Sequence, residues 1–163
     1  MSGASVSPLL VLGIGNTERG DDAVGREVVR LLRGVLPEHV AVEEQEGEAA
    51  ALALRLEGVA AAYLVDASLS GAPPGTIRRF DATAAPLPQH EFGLSTHGLG
   101  LASAVELARA LGQLPPRCIV YAVEGASFER GAGLSPTVAD AVARLAKRLA
   151  EEIIADGGER EHA

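Results

Sequence analysis

The stretch "LLVLGIGNTERGDDAVG", residues Leu9–Gly25, contains a change of pattern that decides the fold. Its first part, Leu9–Ile14, is a continuous apolar run bounded by glycine, which is typical of a strand buried within a parallel sheet. From Asp21 onward the apolar residues follow a helical period, and four of them are expected on one buried face: Val24, Val28, Leu31 and Leu32. A strand, a glycine turn and a helix in this order predict the opening unit of an α/β domain.

The alternation continues along the rest of the chain. Further strands are predicted at 40–42, 61–65, 76–80 and 118–123, and further helices at 49–56, at 98–111 and from Ser135-Pro136 onward. Apolar strands that alternate with helices indicate a three-layer α/β/α domain with a mostly parallel, twisted sheet of about five strands. We expect one domain over residues 1–163, with a frayed tail over roughly 156–163.

Composition and charge exclude several classes of protein. The chain has 14 basic and 22 acidic residues and a net charge of −8, which argues against nucleic acid as a partner because phosphate binding draws on clustered Lys and Arg. The single cysteine, Cys118, excludes an internal disulfide and fits a reducing compartment. No apolar run approaches the roughly 18 residues of a membrane helix, and the N-terminus lacks a signal-peptide pattern. We therefore expect a cytoplasmic protein with no membrane association.

The glycine turn carries two aspartates where a nucleotide-binding loop would hold phosphate. Gly13 and Gly15 match the opening of a dinucleotide fingerprint, but Glu18 stands where the third glycine is needed. Acidic side chains at the start of the next helix would repel a phosphate. We interpret Asp21 as the N-cap of that helix, which leaves Asp22 as the residue available for function.

Two more residues are expected at the same edge of the sheet. Asp66 closes the third predicted strand, and His97 lies in "STHG", residues 95–98, at the predicted start of a helix. Functional groups of open parallel sheets gather beyond the carboxyl ends of the strands. Together, Asp22, Asp66 and His97 could bind a divalent first-row metal, which would relieve the repulsion between the carboxylates. Taken singly, Asp66 could be a turn or cap residue and His97 a solvated loop residue.

Other chemically active side chains have simpler interpretations. Cys118 opens a buried strand and is expected to be a small core residue. A solvated role is expected for the remaining histidines, His39, His90 and His162. An acidic run after the second strand is interpreted as a solvated rim, consisting of Glu43, Glu44, Glu46 and Glu48.

Four motifs in the same order along the chain resemble the nickel–iron hydrogenase maturation endopeptidases. They are "VLGIGNTERGDDAVG", "AYLVDAS", "STHGLGL" and "VEGASFERGAGLSPTV". In that family an acidic residue, an aspartate and a histidine ligate nickel or a substitute metal. The resemblance assigns these three roles to Asp22, Asp66 and His97, and some members carry glutamate where this chain has Asp22.

The resemblance implies a reaction and a partner. The family removes a C-terminal peptide from the precursor of the hydrogenase large subunit after the active-site metals are inserted, so nickel is expected to arrive with the substrate. The same three residues would recognise the metal and so dock the scissile bond, and either carboxylate could serve as a general base. We expect a monomer that acts on this precursor. The family often has a Gly-rich turn where this chain has "EEQEGEAA", residues 43–50, which leaves the choice of precursor open.

Two other functions remain as alternatives. A non-enzymatic metal-sensing adaptor would use the same three residues but would leave its partner at full length. A peptidyl-tRNA hydrolase-like enzyme also has a glycine–asparagine turn, but it would need a histidine soon after that turn and a basic face for RNA. A Rossmann-type nucleotide-binding domain is disfavoured by the missing third glycine.

Overall fold

The computed structural model describes residues 8–92 and 100–162, with side chains described as far as Gly157. These residues form one five-stranded sheet in the order β2-β1-β3-β5-β4. Four strands are parallel, and the edge strand β4 pairs antiparallel with β5. The strands are β1 (Leu9–Ile14), β2 (Val40–Gln45), β3 (Ala61–Ser68), β4 (Ile77–Asp81) and β5 (Arg117–Glu124). The predicted mostly parallel sheet is confirmed.

Helices cover both faces of this sheet. They are α1 (Val24–Leu32), α2 (Ala49–Leu56), α3 (Leu101–Ala110) and α4 (Pro136–His162), with a short 3-10 turn at Gly20–Ala23 before α1. One apolar cluster joins the sheet to α1 and α4, and a second joins its other face to α2 and α3. The three-layer α/β/α architecture is therefore confirmed. None of the described helices combines the length and the low charge needed to cross a bilayer.

The buried face of α1 differs from the prediction. Leu31 is 50% exposed, whereas Val29 is fully buried. The cause is the close approach of Gly25 to the sheet, where a Cβ atom would lie 2.2 Å from the carbonyl oxygen of Val65. This approach turns the Gly25 and Val29 side of the helix inward, and Leu31 consequently faces solvent.

Strand β3 extends further than its apolar run predicts. Asp66 was expected to close the strand, but it lies within β3 and pairs with Ala122, while Ser68 pairs with Glu124. The partner strand β5 supplies backbone hydrogen bonds that extend the ladder beyond the apolar residues. Side chains alternate along a strand, so Asp66 and Ser68 share the face of Leu64, which packs with α2 and α3.

The last helix also runs beyond its expected end. The backbone of α4 is helical through His162, whereas a frayed tail was expected from about residue 156. Asp156 accepts a hydrogen bond from Nε of Arg117 at 2.8 Å and another from the hydroxyl of Tyr63. These bonds tie the helix to β3 and β5 at this position.

Candidate functional site

The glycine turn after β1 folds back onto the start of the helical segment. Gly15 has a φ of +147°, and a Cβ atom there would lie 1.8 Å from the carbonyl oxygen of Asp22. The backbone N–H of Asn16 donates to Oδ2 of Asp22 at 2.8 Å, and the Asn16 side chain accepts from the N–H of Glu18 at 2.8 Å. Glycine is therefore required at position 15 so that the turn can hold the Asp22 carboxylate over the end of β1.

A second glycine lets the helix approach the strands closely. A Cβ atom on Gly25 would lie 2.2 Å from the carbonyl oxygen of Val65 and 2.7 Å from that of Ile14. Since both contacts are with backbone, no side chain could move to make room. The start of α1 thus lies against the ends of β1 and β3, which brings Asp22 next to Asp66.

Asp22 and Asp66 interact through their charges. Asp66 is 6% exposed, and its carboxylate accepts a hydrogen bond from the N–H of Ala67 at 2.8 Å. Burial raises the pKa of Asp66 well above its ordinary value, and the nearby charge of Asp22 raises it further. Burial also raises the pKa of Asp22, while the hydrogen bond from Asn16 and the charge of Arg19 only partly offset this effect. The structure therefore brings the two predicted carboxylates together.

The third predicted ligand, His97, lies in residues 93–99, outside the described residues. The described part of the chain contains no group of three His, Cys, Asp or Glu side chains placed to hold a metal. Asp22 and Asp66 provide two acidic side chains in one place, and a metal site with three protein ligands requires one more donor.

The neighbouring Asp21 is structural, but it does not cap its own helix as expected. Its side chain is fully buried and accepts hydrogen bonds from the backbone N–H groups of Ala126, Ser127 and Ser135, and from the Ser135 hydroxyl, at 2.7–3.0 Å. Burial acts to raise the pKa of Asp21, but these hydrogen bonds outweigh it and the pKa is lowered. Asp21 lies inside the 3-10 turn, from where its side chain reaches the loop after β5 and the start of α4.

A buried carboxylate that the sequence analysis did not single out lies at the end of β5. Glu124 is 1% exposed and accepts hydrogen bonds from the hydroxyls of Ser68 and Ser70 and from the N–H groups of Ser70 and Gly71. It thereby fixes the turn that follows Asp66. The signal that pointed to Asp66, an acidic residue closing an apolar strand, also applies to Glu124 and could have identified it.

The interpretation of the acidic run as a solvated rim is wrong for Glu44, whereas the Glu43 side chain is 40% exposed and Glu48 is exposed. The Glu44 side chain is 10% exposed and pairs with Arg26, Arg30 and Arg33 at 2.8–2.9 Å. Glu43 pairs with Arg55 on α2, and Glu48 accepts the N–H of Ala51 as the N-cap of that helix. The edge strand β2 lies between α1 and α2, so its acidic side chains meet helix arginines.

The remaining predictions concern histidine and cysteine. His39 and His90 are exposed, and the His162 side chain lies outside the described residues. Cys118 is fully buried, and burial raises the pKa of its thiol to about 12. The prediction that it is a core residue is confirmed.

Comparison with known proteins shows the family. The family model "HycI: Hydrogenase maturation protease" matches residues 47–152. The hydrogenase 2 maturation protease of Escherichia coli strain K12 is 34% identical over 137 residues, which cover 80% of each chain. The structure of the hydrogenase maturating endopeptidase HybD from E. coli aligns over 92% of this chain and 94% of that chain, with a TM-score of 0.78 and 26% identity.

An archaeal structure shares the fold. The hydrogenase maturation protease HycI from Thermococcus kodakarensis KOD1 covers 89% of this chain and 91% of its own, with a TM-score of 0.68 and 24% identity. The family match and the E. coli relative settle the assignment, while the archaeal structure supports the fold alone. The chain therefore belongs to the hydrogenase maturation protease family and is a peptide hydrolase of the endopeptidase type.

Proposed function

We propose that this protein removes a C-terminal peptide from the precursor of a nickel–iron hydrogenase large subunit. Asp22, Asp66 and His97 recognise the nickel that the precursor carries, and another divalent metal can substitute for it. The observation that carries this proposal is the pair of interacting carboxylates in the 3-10 turn after β1 and in β3, within a member of the hydrogenase maturation protease family.

The chemistry of the pair supports a cation as its occupant. The charge of Asp22 raises the pKa of Asp66, so holding both carboxylates in ionised form has a cost that a divalent cation between them removes. Oxygen and imidazole ligands suit first-row divalent metals. Three protein ligands leave coordination positions open, so a metal already held by another protein can enter the site.

The described residues on either side of segment 93–99 support His97 as the third ligand. The carbonyl oxygen of Glu91 accepts the N–H of Leu69 at 3.0 Å, immediately after the end of β3. Near the C-terminal end of α3, Arg109 donates to the carbonyl oxygen of Ala82 at 2.7 Å. The N–H of Ala82 in turn donates to the carbonyl oxygen of Cys118, at the start of β5. Helix α3 therefore begins at the carboxyl ends of the parallel strands, where Asp66 lies.

Recognition of the metal orders the reaction. Nickel bound to the precursor completes its coordination with the three side chains, and this docks the scissile peptide bond beside them. We favour recognition over direct activation of water by the metal. The proposed site assigns no separate residue as a general base, so Asp22 or Asp66 would have to act as the base while also binding the metal.

The proposal also covers the domain organisation, oligomeric state, compartment and partner of the protein. We propose a single domain over residues 1–163 that acts as a monomer in the cytoplasm, with the precursor as its partner. The net charge of −8 disfavours nucleic acid as a further partner. The buried single cysteine is consistent with a reducing compartment.

The test compares nickel-loaded and metal-free precursor by mass spectrometry. Wild-type protein should shorten only the nickel-loaded form, and the Asp66→Asn and His97→Ala variants should leave it at full length. Asp140→Asn, an exposed change on α4, is the matched control and should process normally. Circular dichroism checks that every variant is folded. Normal processing by both site variants would refute the metal site, and an unshortened precursor with wild-type protein would favour the adaptor alternative.

A further inference from the structure

Arg78 on β4 shares a row of the sheet with Asp66. Arg78 pairs with Ala122 of β5, and Ala122 pairs with Asp66 of β3 on its other side. Side chains in one such row project from the same face of the sheet. With neighbouring strands about 4.8 Å apart, the Cα atoms of Arg78 and Asp66 are separated by about 10 Å. The long arginine side chain therefore lies on the face that carries the proposed metal ligand.

The guanidinium group of Arg78 has a hydrogen-bond acceptor on one side and none on the other among the described residues. Its Nη1 donates to Oε1 of Glu91 at 3.1 Å, and its Cζ lies 5.2 Å from the centre of the Phe80 ring. Its Nε and Nη2 atoms are buried and have no hydrogen-bond acceptor among the described residues. Buried donors of a charged group are costly to leave unpaired, so this pair of nitrogens calls for a partner.

Two other arginines in this chain show what the unfilled edge fits. Arg55 places Nε and Nη2 on the two oxygens of Glu43, both at 2.7 Å. Arg79 places the same two nitrogens on the two oxygens of Glu152, at 3.2 and 2.8 Å. This edge of a guanidinium group matches the spacing of a carboxylate, which it binds with two parallel hydrogen bonds.

We propose that Arg78 binds a carboxylate of the precursor polypeptide through Nε and Nη2. The inference rests on the function proposed above and adds a second point of recognition across β5 from Asp66. The carboxylate comes from an acidic side chain of the precursor or from its C-terminus. Both nitrogens are shielded from solvent although 28% of the Arg78 side chain is exposed, so the precursor must displace the atoms that cover them. The pair then forms away from water, where a charged hydrogen bond is stronger.

A purely structural role for Arg78 makes a different prediction. The pair with Glu91 could serve only to anchor the chain just before Phe92. Glu91→Gln weakens that anchor and leaves the Nε and Nη2 edge in place, so a structural role predicts the same defect in Arg78→Gln and Glu91→Gln. Carboxylate binding predicts a defect that is specific to Arg78.

The experiment measures the Kd for nickel-loaded precursor together with KM and kcat. Arg78→Gln should weaken binding and raise KM by about 10- to 100-fold, as expected for loss of a bidentate charged pair, with kcat changed less than about twofold. Arg78→Lys should not restore binding, because an ammonium group lacks the two parallel N–H donors of a guanidinium group. Arg79→Gln is the matched control and should bind normally, since Nε and Nη2 of Arg79 already bind Glu152.

Changes in the precursor identify the carboxylate. Acidic residues near the cleavage site are replaced singly by their amides, and in a separate arm the C-terminus is amidated. One of these changes should raise the Kd for wild-type protein by the same factor as Arg78→Gln does. The same change should leave the Kd for the Arg78→Gln variant unaltered. Equal Kd values for wild-type protein and Arg78→Gln, or equal defects in Arg78→Gln and Glu91→Gln, overturn the inference. A wild-type protein that binds the precursor without shortening it overturns the proposed function alone.

Discussion

Substituting the adjacent residues Asp21 and Asp22 singly by asparagine should affect different properties: Asp21→Asn should lower stability, whereas Asp22→Asn should abolish processing. Asp21 is fully buried and accepts four hydrogen bonds, whereas Asp22 accepts one, from the N–H of Asn16. The two changes are chemically identical and adjacent in the chain. Any difference between them therefore reports the surroundings of the two carboxylates.

The expected cost of Asp21→Asn follows from its donors. The smallest loss arises when the amide nitrogen replaces Oδ1, because the N–H of Ser135 then faces another donor. An unsatisfied buried donor costs about 1–3 kcal/mol, and the three bonds at the other oxygen lose their charge assistance. We expect a total loss of about 3–5 kcal/mol, which lowers Tm by roughly 6–20 °C in a chain of this size.

Asp22→Asn should leave stability almost unchanged. The amide oxygen can still accept the N–H of Asn16, and the change removes a buried charge that raises the pKa of Asp66. The retained hydrogen bond limits the loss, and removal of the charge favours the folded state. The free energy of unfolding should therefore change by less than about 1 kcal/mol. If the proposed metal site is correct, processing of nickel-loaded precursor should nevertheless be lost.

Urea unfolding followed by far-UV circular dichroism measures the stabilities, since the chain has no tryptophan to serve as a fluorescent probe. Both variants are compared with wild-type protein at pH 7 and at one salt concentration. Comparable destabilisation by the two substitutions would refute the division of roles between the aspartates. So would an Asp21→Asn variant as stable as wild-type protein.

Two further predictions concern packing and burial. Gly25→Ala places a Cβ atom 2.2 Å from the carbonyl oxygen of Val65 and should cost about 1–3 kcal/mol or more in urea unfolding. Gly133→Ala, where a Cβ atom meets nothing within 4 Å, is its control and should stay within about 0.5 kcal/mol of wild type. Cys118, whose pKa burial raises to about 12, should resist a thiol reagent at pH 8 until the protein unfolds. Rapid labelling of native protein would contradict this burial.

The elements of the fold could be predicted because their signals are local. The apolar run Leu9–Ile14 and the Ala/Leu segment Ala49–Leu56 have the same bounds in the structure as in the prediction. The extension of β3 through Ser68 could not be predicted locally, because it depends on pairing with Glu124 more than fifty residues later. Strand order depends on the same kind of distant pairing.

The candidate site divides in the same way. The position of Asp22 and Asp66 after apolar runs in the sequence was enough to predict that they meet. The predicted role of Asp21 as the N-cap of its own helix was wrong, because its partners are more than a hundred residues away in the chain: Ala126, Ser127 and Ser135. His97 lies outside the described residues, and its role as a ligand stays a prediction.

The number of donors around each acidic side chain distinguishes two structural carboxylates from the two proposed metal ligands. Asp21 and Glu124 are surrounded by backbone N–H and hydroxyl donors that outweigh the effect of burial and lower the pKa of both. Asp22 and Asp66 each accept one backbone N–H among the described residues, and burial raises the pKa of both. Lone pairs without donors are what a cation needs. The carboxylates that the fold leaves unsatisfied are therefore those expected to meet the metal of the precursor.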